Sequence, residues 1–125
     1  QLTVAQVLNN QGEFYFVQGQ PETALETWKK AEQVYRKISD RIGEIGTQLN
    51  QARALQALGF YLRAKTSLEK VAASLNSEPD SQLKVTALLS LGNIMRILGD
   101  FNTAETTLEG ALTIAQKLQD LPHIK

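Results

Sequence analysis

The sequence predicts an all-α fold: a right-handed α-solenoid of three helix-turn-helix repeats with six helices. Two observations lead to this class. Residue types recur along the chain with a period of 40 positions, and within each copy the apolar residues are spaced three and four positions apart. Such spacing places apolar side chains on one face of a helix. The strict alternation that indicates a strand is absent.

The period is visible in six columns of matched positions, and self-similarity at a fixed period is typical of stacked repeats. The columns are Gly12, Ala52 and Gly92; Gly19, Gly59 and Gly99; Ala24, Ala64 and Ala104; Trp28, Leu68 and Leu108; Ala31, Val71 and Ala111; and Asp40, Asp80 and Asp120. We assign 1–40, 41–80 and 81–120 to three repeats of one solenoid domain. Because the chain begins with Gln1 rather than Met, we expect it to come from a longer protein, with 121–125 starting a truncated following segment.

Each repeat divides into two helices at a glycine, which suits the turn after a helix. Pro21 follows the first of these glycines, at a position where a helix start tolerates its missing N–H. Asp100 is a candidate N-cap for the last helix. The predicted helices are 3–18, 22–38, 43–58, 62–76, 81–98 and 102–118.

Side-chain size within the columns predicts the packing. The two helices of a repeat should approach closely at two columns, because a larger side chain would hold them apart: Gly12, Ala52 and Gly92, and Ala24, Ala64 and Ala104. We expect Trp28, with its equivalents Leu68 and Leu108, to fill the space between neighbouring repeats.

The pattern resembles the tetratricopeptide repeat. The first repeat carries that family's residue types at the positions Gly12, Tyr15, Gly19, Ala24, Trp28 and Ala31. The third repeat matches at its glycines and alanines but has Met95 and Leu108 at the aromatic positions, and the second repeat is weaker. The common repeat is about 34 residues long, and the joint at 39–44 is similar to that of a longer bacterial variety found in kinesin light chains, before caspase-like CHAT protease domains and in signalling ATPases.

The resemblance implies a protein–protein interaction scaffold that binds a peptide or partner protein on the concave face lined by the first helices. It equally allows a regulatory or sensor segment of a larger protein, such as a CHAT-type protease or signalling ATPase. The bacterial variety of the joint implies a bacterial protein. The absence of cysteine fits a cytoplasmic location.

Polar residues on the inward face of the first helices form the candidate binding site. Amides can bond a ligand's backbone, arginines can pair with carboxylates, and an aromatic ring can act as a platform. Alternatively, these residues form an ordinary hydrated helix face, or bond one another across repeats. The candidates are Asn9, Glu13, Phe16, Asn50, Arg53, Gln56, Ser90, Asn93 and Arg96.

A known specificity of similar domains is the carboxylate clamp that binds chaperone tails. When the columns are matched to it, only Asn50 keeps a clamp residue type. Asn9 and Glu13 replace a lysine and an asparagine, and Thr86 and Ser90 replace the last lysine and arginine. Glu13 would repel a carboxylate, so we expect no binding of free EEVD-type tails.

The sequence offers little for catalysis, cofactors or metals. Cysteine is absent and the single histidine, His123, lies near the end of the chain. The segment 59–66 resembles a P-loop but has Ala64 where a phosphate cradle needs glycine. We therefore predict a protein that is not an enzyme and binds no cofactor. No apolar run approaches the roughly 20 residues of a membrane span, so no membrane partner is expected.

Charge argues against nucleic acid as a partner. Thirteen basic residues balance thirteen acidic ones, whereas neutralisation of phosphates requires a basic excess. The basic pairs 29–30 and 36–37 are interpreted as a solvated outer face, with a nucleic-acid patch as the alternative.

The last helix carries apolar residues, among them Leu108 and Ala115, that no further repeat covers, and Leu121, Pro122 and Ile124 look like the start of one. An uncovered apolar face favours association. The sequence therefore predicts a homodimer or end-to-end stacking through uncapped repeats.

Overall fold

A computed structural model describes residues 2–120, which form six α-helices and no strand. The helices are α1 (Leu2–Val17), α2 (Pro21–Lys37), α3 (Arg41–Ala57), α4 (Tyr61–Leu75), α5 (Gln82–Ile97) and α6 (Phe101–Gln119). The predicted all-α class is confirmed, and each predicted helix end lies within two residues of the observed one. The expected start of a following segment, with His123, lies outside the described residues. No helix in the described range is long and apolar enough to cross a membrane.

The chain divides into two compact units, residues 1–67 (unit 1) and 68–125 (unit 2). Unit 1 contains α1, α2, α3 and the beginning of α4. There α1 packs on α2, and α2 packs on α3. Unit 2 contains the remainder of α4 with α5 and α6, and α5 packs on α6.

Three glycines end the first helix of each pair, as predicted. Gly19, Gly59 and Gly99 have φ of 80°, 85° and 87°, a left-handed conformation that side chains with a Cβ adopt at a cost. After α1, the N–H of Gln20 donates to the carbonyl of Tyr15 at 2.9 Å, which satisfies a carbonyl in the last turn of the helix. The chain can therefore reverse direction within three residues.

Helix starts follow the prediction in part. Pro21 is the first residue of α2. Asp100 occupies the N-cap position of α6, but its side chain makes no capping hydrogen bond, so that part of the prediction is wrong. Side-chain caps occur elsewhere, where Asp40 accepts from the N–H of Gly43 at 3.0 Å and Ser81 from that of Lys84 at 3.3 Å.

Trp28 belongs to the core of unit 1 and is fully buried. A Cβ built on Gly12 would lie within 2.3 Å of its indole nitrogen, so the glycine leaves the space that the ring fills. The indole N–H donates to the carbonyl of Asn9 at 3.0 Å. The ring lies against α1 of its own pair, because Gly12 lets it approach that backbone, and it also lies 5.7 Å from the guanidinium carbon of Arg53 on α3. That Trp28 fills the space between neighbouring repeats stays a prediction.

The junction between α2 and α3 repeats this device with Tyr35, whose ring lies where a Cβ of Gly43 would be. Burial, with a smaller contribution from the carboxylate of Asp40, raises the pKa of Tyr35 above its ordinary value. In unit 2, Leu108 lies against Gly92 as Trp28 lies against Gly12, which confirms the predicted close approach at both positions.

Candidate functional site

The candidate residues of unit 1 lie on two helices, which place them on what we call the first-helix face of unit 1. It is made by Asn9, Glu13 and Phe16 of α1 and by Asn50, Arg53 and Gln56 of α3. The structure connects five of these six side chains through direct contacts, and Arg53 is at the centre of the group.

An ion pair joins the two helices across this face. Nη1 of Arg53 lies 3.0 Å from Oε1 of Glu13, and Nη2 lies 3.5 Å from Oε2. The side chains of Arg53 and Glu13 remain 43% and 48% exposed. Exposed pairs of this kind contribute about 0–1 kcal/mol to folding. The pair therefore positions the guanidinium and balances its charge more than it stabilises the fold.

Two aromatic rings lie against the same guanidinium of Arg53. Its carbon lies 4.6 Å from the centre of the Phe16 ring and 5.7 Å from that of Trp28. The two rings are themselves in contact, with centroids 5.7 Å apart. A cation over an aromatic face is stabilised by about 0.5–1 kcal/mol at an exposed site. Because Trp28 is fixed in the core, the stack limits the positions open to Arg53.

Two asparagines complete the group. The Asn50 amide donates to the side-chain carbonyl of Asn9 at 3.2 Å, and Nη1 of Arg53 donates to that of Asn50 at 3.0 Å. The alternative that these polar residues bond one another across repeats is thus what the structure shows in unit 1. Within the described part of the chain, the amide N–H groups of Asn9 and the Nε–H of Arg53 donate no hydrogen bond.

The other candidates are less connected. Gln56 lies one turn beyond Arg53 on α3 and is half-buried. Ser90, Asn93 and Arg96 lie on α5 in unit 2, three positions apart and so on one helix face. Ser90 is half-buried and the other two are exposed.

Grooves on both units were not anticipated from the sequence. On unit 1 a shallow groove of about 430 Å³ is lined by Leu25, Lys29, Gln51, Leu55, Leu62, Arg63, Thr66 and Ser67. On unit 2 a groove of about 470 Å³ lies between Arg96 and the α6 residues Phe101, Ala104, Glu105, Leu108, Glu109 and Leu112. The column of Trp28 and Leu108 is the one signal that indicates the second groove, because a smaller side chain replaces the indole.

The basic pairs of α2 are partly neutralised. Arg36 lies 2.7 Å from a carboxylate oxygen of Glu32 and 2.9 Å from one of Glu44. The hydrogen bond to Glu44, with the charges of both carboxylates, raises the pKa of Arg36. Glu32 also accepts from the amides of Gln48 and Gln51, so this polar cluster joins α2 to α3. The guanidinium of Arg36 is therefore paired with carboxylates of the chain itself.

The segment that resembles a P-loop forms a different structure. Gly59 is in the turn before α4, and residues 61–66 belong to that helix, so no strand precedes them. The Thr66 hydroxyl donates to the carbonyl of Leu62 within the helix at 3.0 Å. Among residues 2–120, no group of three His, Cys, Asp or Glu side chains could hold a metal ion.

Comparison with known sequences and structures places this geometry in a family. The sequence model of the tetratricopeptide repeat matches residues 43–117. No curated protein matches the chain significantly. Among solved structures, the tetratricopeptide repeat domain of Arabidopsis FLU superposes with a TM-score of 0.78 at 18% identity, over 90% of this chain and 95% of that one.

A second similar structure is a Podosopora anserina putative kinesin light chain with nearly identical tetratricopeptide-like repeats. Its TM-score is 0.78 at 22% identity, and the match covers 97% of this chain. The chain spans 59% of the length of that protein's resolved chain. At these identities the likeness establishes the fold, in agreement with the resemblance to kinesin light chain repeats.

Proposed function

The chain belongs to the tetratricopeptide repeat family, and we propose that it is a scaffold that binds a peptide or partner protein on the face of its first helices. The fold of this family generally mediates protein–protein interaction, and its members are typically non-catalytic. The arrangement around Arg53 is the observation that carries this proposal. A guanidinium held by a carboxylate, an amide and a ring is already ordered, so a ligand that contacts it loses less entropy on binding.

The unbonded donors indicate which ligand chemistry fits. The amide N–H groups of Asn9 and the Nε–H of Arg53 are open to acceptors. Backbone carbonyl oxygens of an extended peptide are suitable acceptors, and the half-buried ring of Phe16 offers an apolar contact. Because Glu13 balances the charge of Arg53, we infer that recognition depends on backbone carbonyls and apolar side chains more than on acidic groups.

We also propose a binding role for the α5 residues of unit 2. By the 40-residue period, Asn93 occupies the position of Arg53, Arg96 that of Gln56, and Ser90 that of Asn50. These residues give unit 2 a polar first-helix face of its own. A binding face of this kind serves a free scaffold and equally a regulatory segment of a larger bacterial protein, such as a CHAT-type protease or signalling ATPase.

The kind of partner is part of the proposal. We favour protein over nucleic acid because the chain has no net charge and because Arg36, in one of the basic pairs, is paired with two carboxylates. We place the scaffold in the cytoplasm, for which the absence of cysteine is the supporting feature. Self-association through an end helix belongs to the same proposal, and the exposed Phe101 and Leu112 of α6 support it.

Peptide selection followed by substitution tests the binding face. Peptides would be selected from a displayed random library against the intact chain, and the affinity of the best one measured by calorimetry. Arg53→Ala should weaken binding at least tenfold, about 1.4 kcal/mol, since it removes both the donor and the cation over Phe16. Arg63→Ala, the same change at an exposed arginine of α4, should leave the affinity unchanged. Equal losses in both variants, or a loss in the control alone, would contradict the proposed location.

A peptide ending in EEVD should not bind measurably in calorimetry. The carboxylate of Glu13 lies on the same face and already occupies the Nη1 and Nη2 groups of Arg53. An added carboxylate would therefore meet a like charge and would have to displace an existing pair. Micromolar binding of that peptide to the unaltered chain would show that this electrostatic reasoning is wrong.

A further inference from the structure

The shallow groove on unit 1 shares no residue with the first-helix face and is formed by three consecutive helices. Residues of α2, of α3 and of the start of α4 line it, and its volume is about 430 Å³. All of its lining residues belong to unit 1. We call it the α2–α4 groove, and it is complete within residues 25–67.

Three leucines make the apolar part of the α2–α4 groove. Leu25 and Leu55 are 8% and 5% exposed and belong to the core, whereas Leu62 is 69% exposed. A single exposed leucine is ordinary on a protein surface, but Leu62 lines the same groove as two buried leucines. An apolar side chain that enters the groove would therefore remove the surface of Leu62 from water.

The charged residues of the α2–α4 groove are both basic. They are Lys29 and Arg63, and among residues 2–120 no carboxylate side chain lines the groove. The guanidinium carbon of Arg63 lies 5.2 Å from the centre of the Phe60 ring, and no described carboxylate pairs with it. Nζ of Lys29 lies 3.8 Å from Oε1 of Glu26, and both side chains are exposed. Because such exposed pairs are weak, both cations are available to carboxylates of a partner.

The repeat pattern does not require these three side chains. At the positions of Leu62 and Arg63 the other two repeats have polar residues without a positive charge: Glu22, Thr23, Asn102 and Thr103. At the position of Lys29 they have Glu69 and Glu109. The fold forms with neutral or acidic residues at all three positions, so the leucine and the two cations of unit 1 serve something other than the packing of the repeat.

The groove favours a partner that presents side chains rather than an open backbone. Its sides are helices, whose backbone groups bond within each helix. The Thr66 hydroxyl donates to the carbonyl of Leu62 at 3.0 Å, and the amide of Gln51 donates to Glu32 at 2.8 Å. An extended peptide needs main-chain partners such as a sheet edge offers, whereas a helix satisfies its own backbone and carries its anchors at spacings of three and four.

We propose that the α2–α4 groove binds an acidic amphipathic helix of a partner protein. An apolar side chain of that helix contacts the three leucines, and carboxylates one turn from it pair with Lys29 and Arg63. Complementary charge of this kind gives specificity. The groove is a second binding surface, independent of the function proposed for the first-helix face. A free EEVD-type tail does not fit it, because so short a peptide does not form a helix.

Selection from a displayed library of helical peptides tests the chemistry of the partner. The peptides have about 16 residues, long enough to form a helix, and one face varies among apolar, acidic, basic and amide side chains. They are selected against the intact chain, and those that also bind the double variant Lys29→Glu/Arg63→Glu are removed. We expect the retained peptides to carry an apolar residue with Glu or Asp three or four positions away. Recovery of no peptide, or only of peptides without acidic residues, would overturn the proposal.

Single substitutions locate the retained peptide on the chain. In calorimetry, Lys29→Glu and Arg63→Glu should each weaken its binding at least tenfold. Lys30→Glu makes the same change at the neighbouring exposed lysine, which does not line the groove, and should leave the affinity unchanged. Arg53→Ala should also leave it unchanged. An equal loss in Lys30→Glu or in Arg53→Ala would show that the peptide does not depend on a separate site in the groove.

Reciprocal charge reversal separates recognition from damage to the fold. A peptide in which lysines replace the acidic residues should bind the double variant Lys29→Glu/Arg63→Glu at least tenfold more tightly than it binds the intact chain. A structural defect would not be repaired in this way, so failure of the rescue would contradict the charge pairing. Circular dichroism should show the same helix content in all variants, because the substituted side chains are exposed.

The same variants test two other occupants of the groove. A dimer of the intact chain that Lys29→Glu dissociates would identify a second copy of the chain as the occupant. A single-stranded oligonucleotide that binds the intact chain and is lost in both single variants would identify nucleic acid. We expect neither result, and either one would overturn the acidic helix as the partner.

Discussion

Trp28→Ala should destabilise the chain by about 3–5 kcal/mol, the cost of removing a buried aromatic side chain and leaving a cavity. The whole stability of a domain is about 5–15 kcal/mol, so we expect unit 1 to be unfolded or nearly so. Trp28 is fully buried, lies against Gly12 and donates a hydrogen bond to the carbonyl of Asn9. Urea denaturation followed by circular dichroism measures the loss.

Trp28→Phe separates the contributions to that loss. It keeps a ring in the core but removes the donor to Asn9 and part of the volume, so we expect a smaller loss than for alanine. Because Trp28 also underlies Phe16 and Arg53, peptide affinity should fall in this variant even if it remains folded. An unchanged thermal midpoint for Trp28→Ala would contradict the packing described for unit 1.

Gly12→Ala should destabilise the chain by about 1–3 kcal/mol, as overpacking does in well-filled cores. The new Cβ would lie 2.3 Å from the indole nitrogen of Trp28, and the ring is enclosed and cannot move aside. This loss outweighs the gain of about 1 kcal/mol that alanine brings within a helix. Thermal and urea unfolding measure the difference.

Gly46→Ala is the matched control, because Gly46 is also within a helix but nothing lies within 4 Å of the added Cβ. It should stabilise the chain by about 0.5–1 kcal/mol. The two substitutions are chemically identical and should have opposite signs. Stabilisation by both would show that Gly12 is not needed for the approach of α1 to Trp28.

The sequence predicts the fold of this protein well because the same residue pattern occurs in three copies along the chain. The glycines of the turns and the close approach at Gly12 and Gly92 follow from residue size and backbone freedom, and the structure confirms them. The caps were less predictable. Asp100 has a suitable side chain but makes no capping bond, since a residue type permits such a bond without enforcing the side-chain rotamer that makes it.

The candidate site shows a different limit. The repeat period placed Glu13 and Arg53 at equivalent positions in one column. It did not predict that their side chains form an ion pair. The partner of a long charged side chain depends on rotamers and on the distance between helices, and single-sequence patterns contain neither. The repeat boundaries and the role of Ser90, Asn93 and Arg96 stay predictions.

Nuclear magnetic resonance with the selected peptide tests the central proposal most directly. In ¹⁵N-labelled chain, the side-chain amides of Asn9 and Asn50, the Nε–H of Arg53 and the indole N–H of Trp28 each give a resolvable signal. We expect the peptide to shift these signals in proportion to its occupancy, while the Nε–H of Arg63 stays unchanged. Shifts confined to Arg63 and the groove that it lines, with the first-helix face unaffected, would contradict the proposed function.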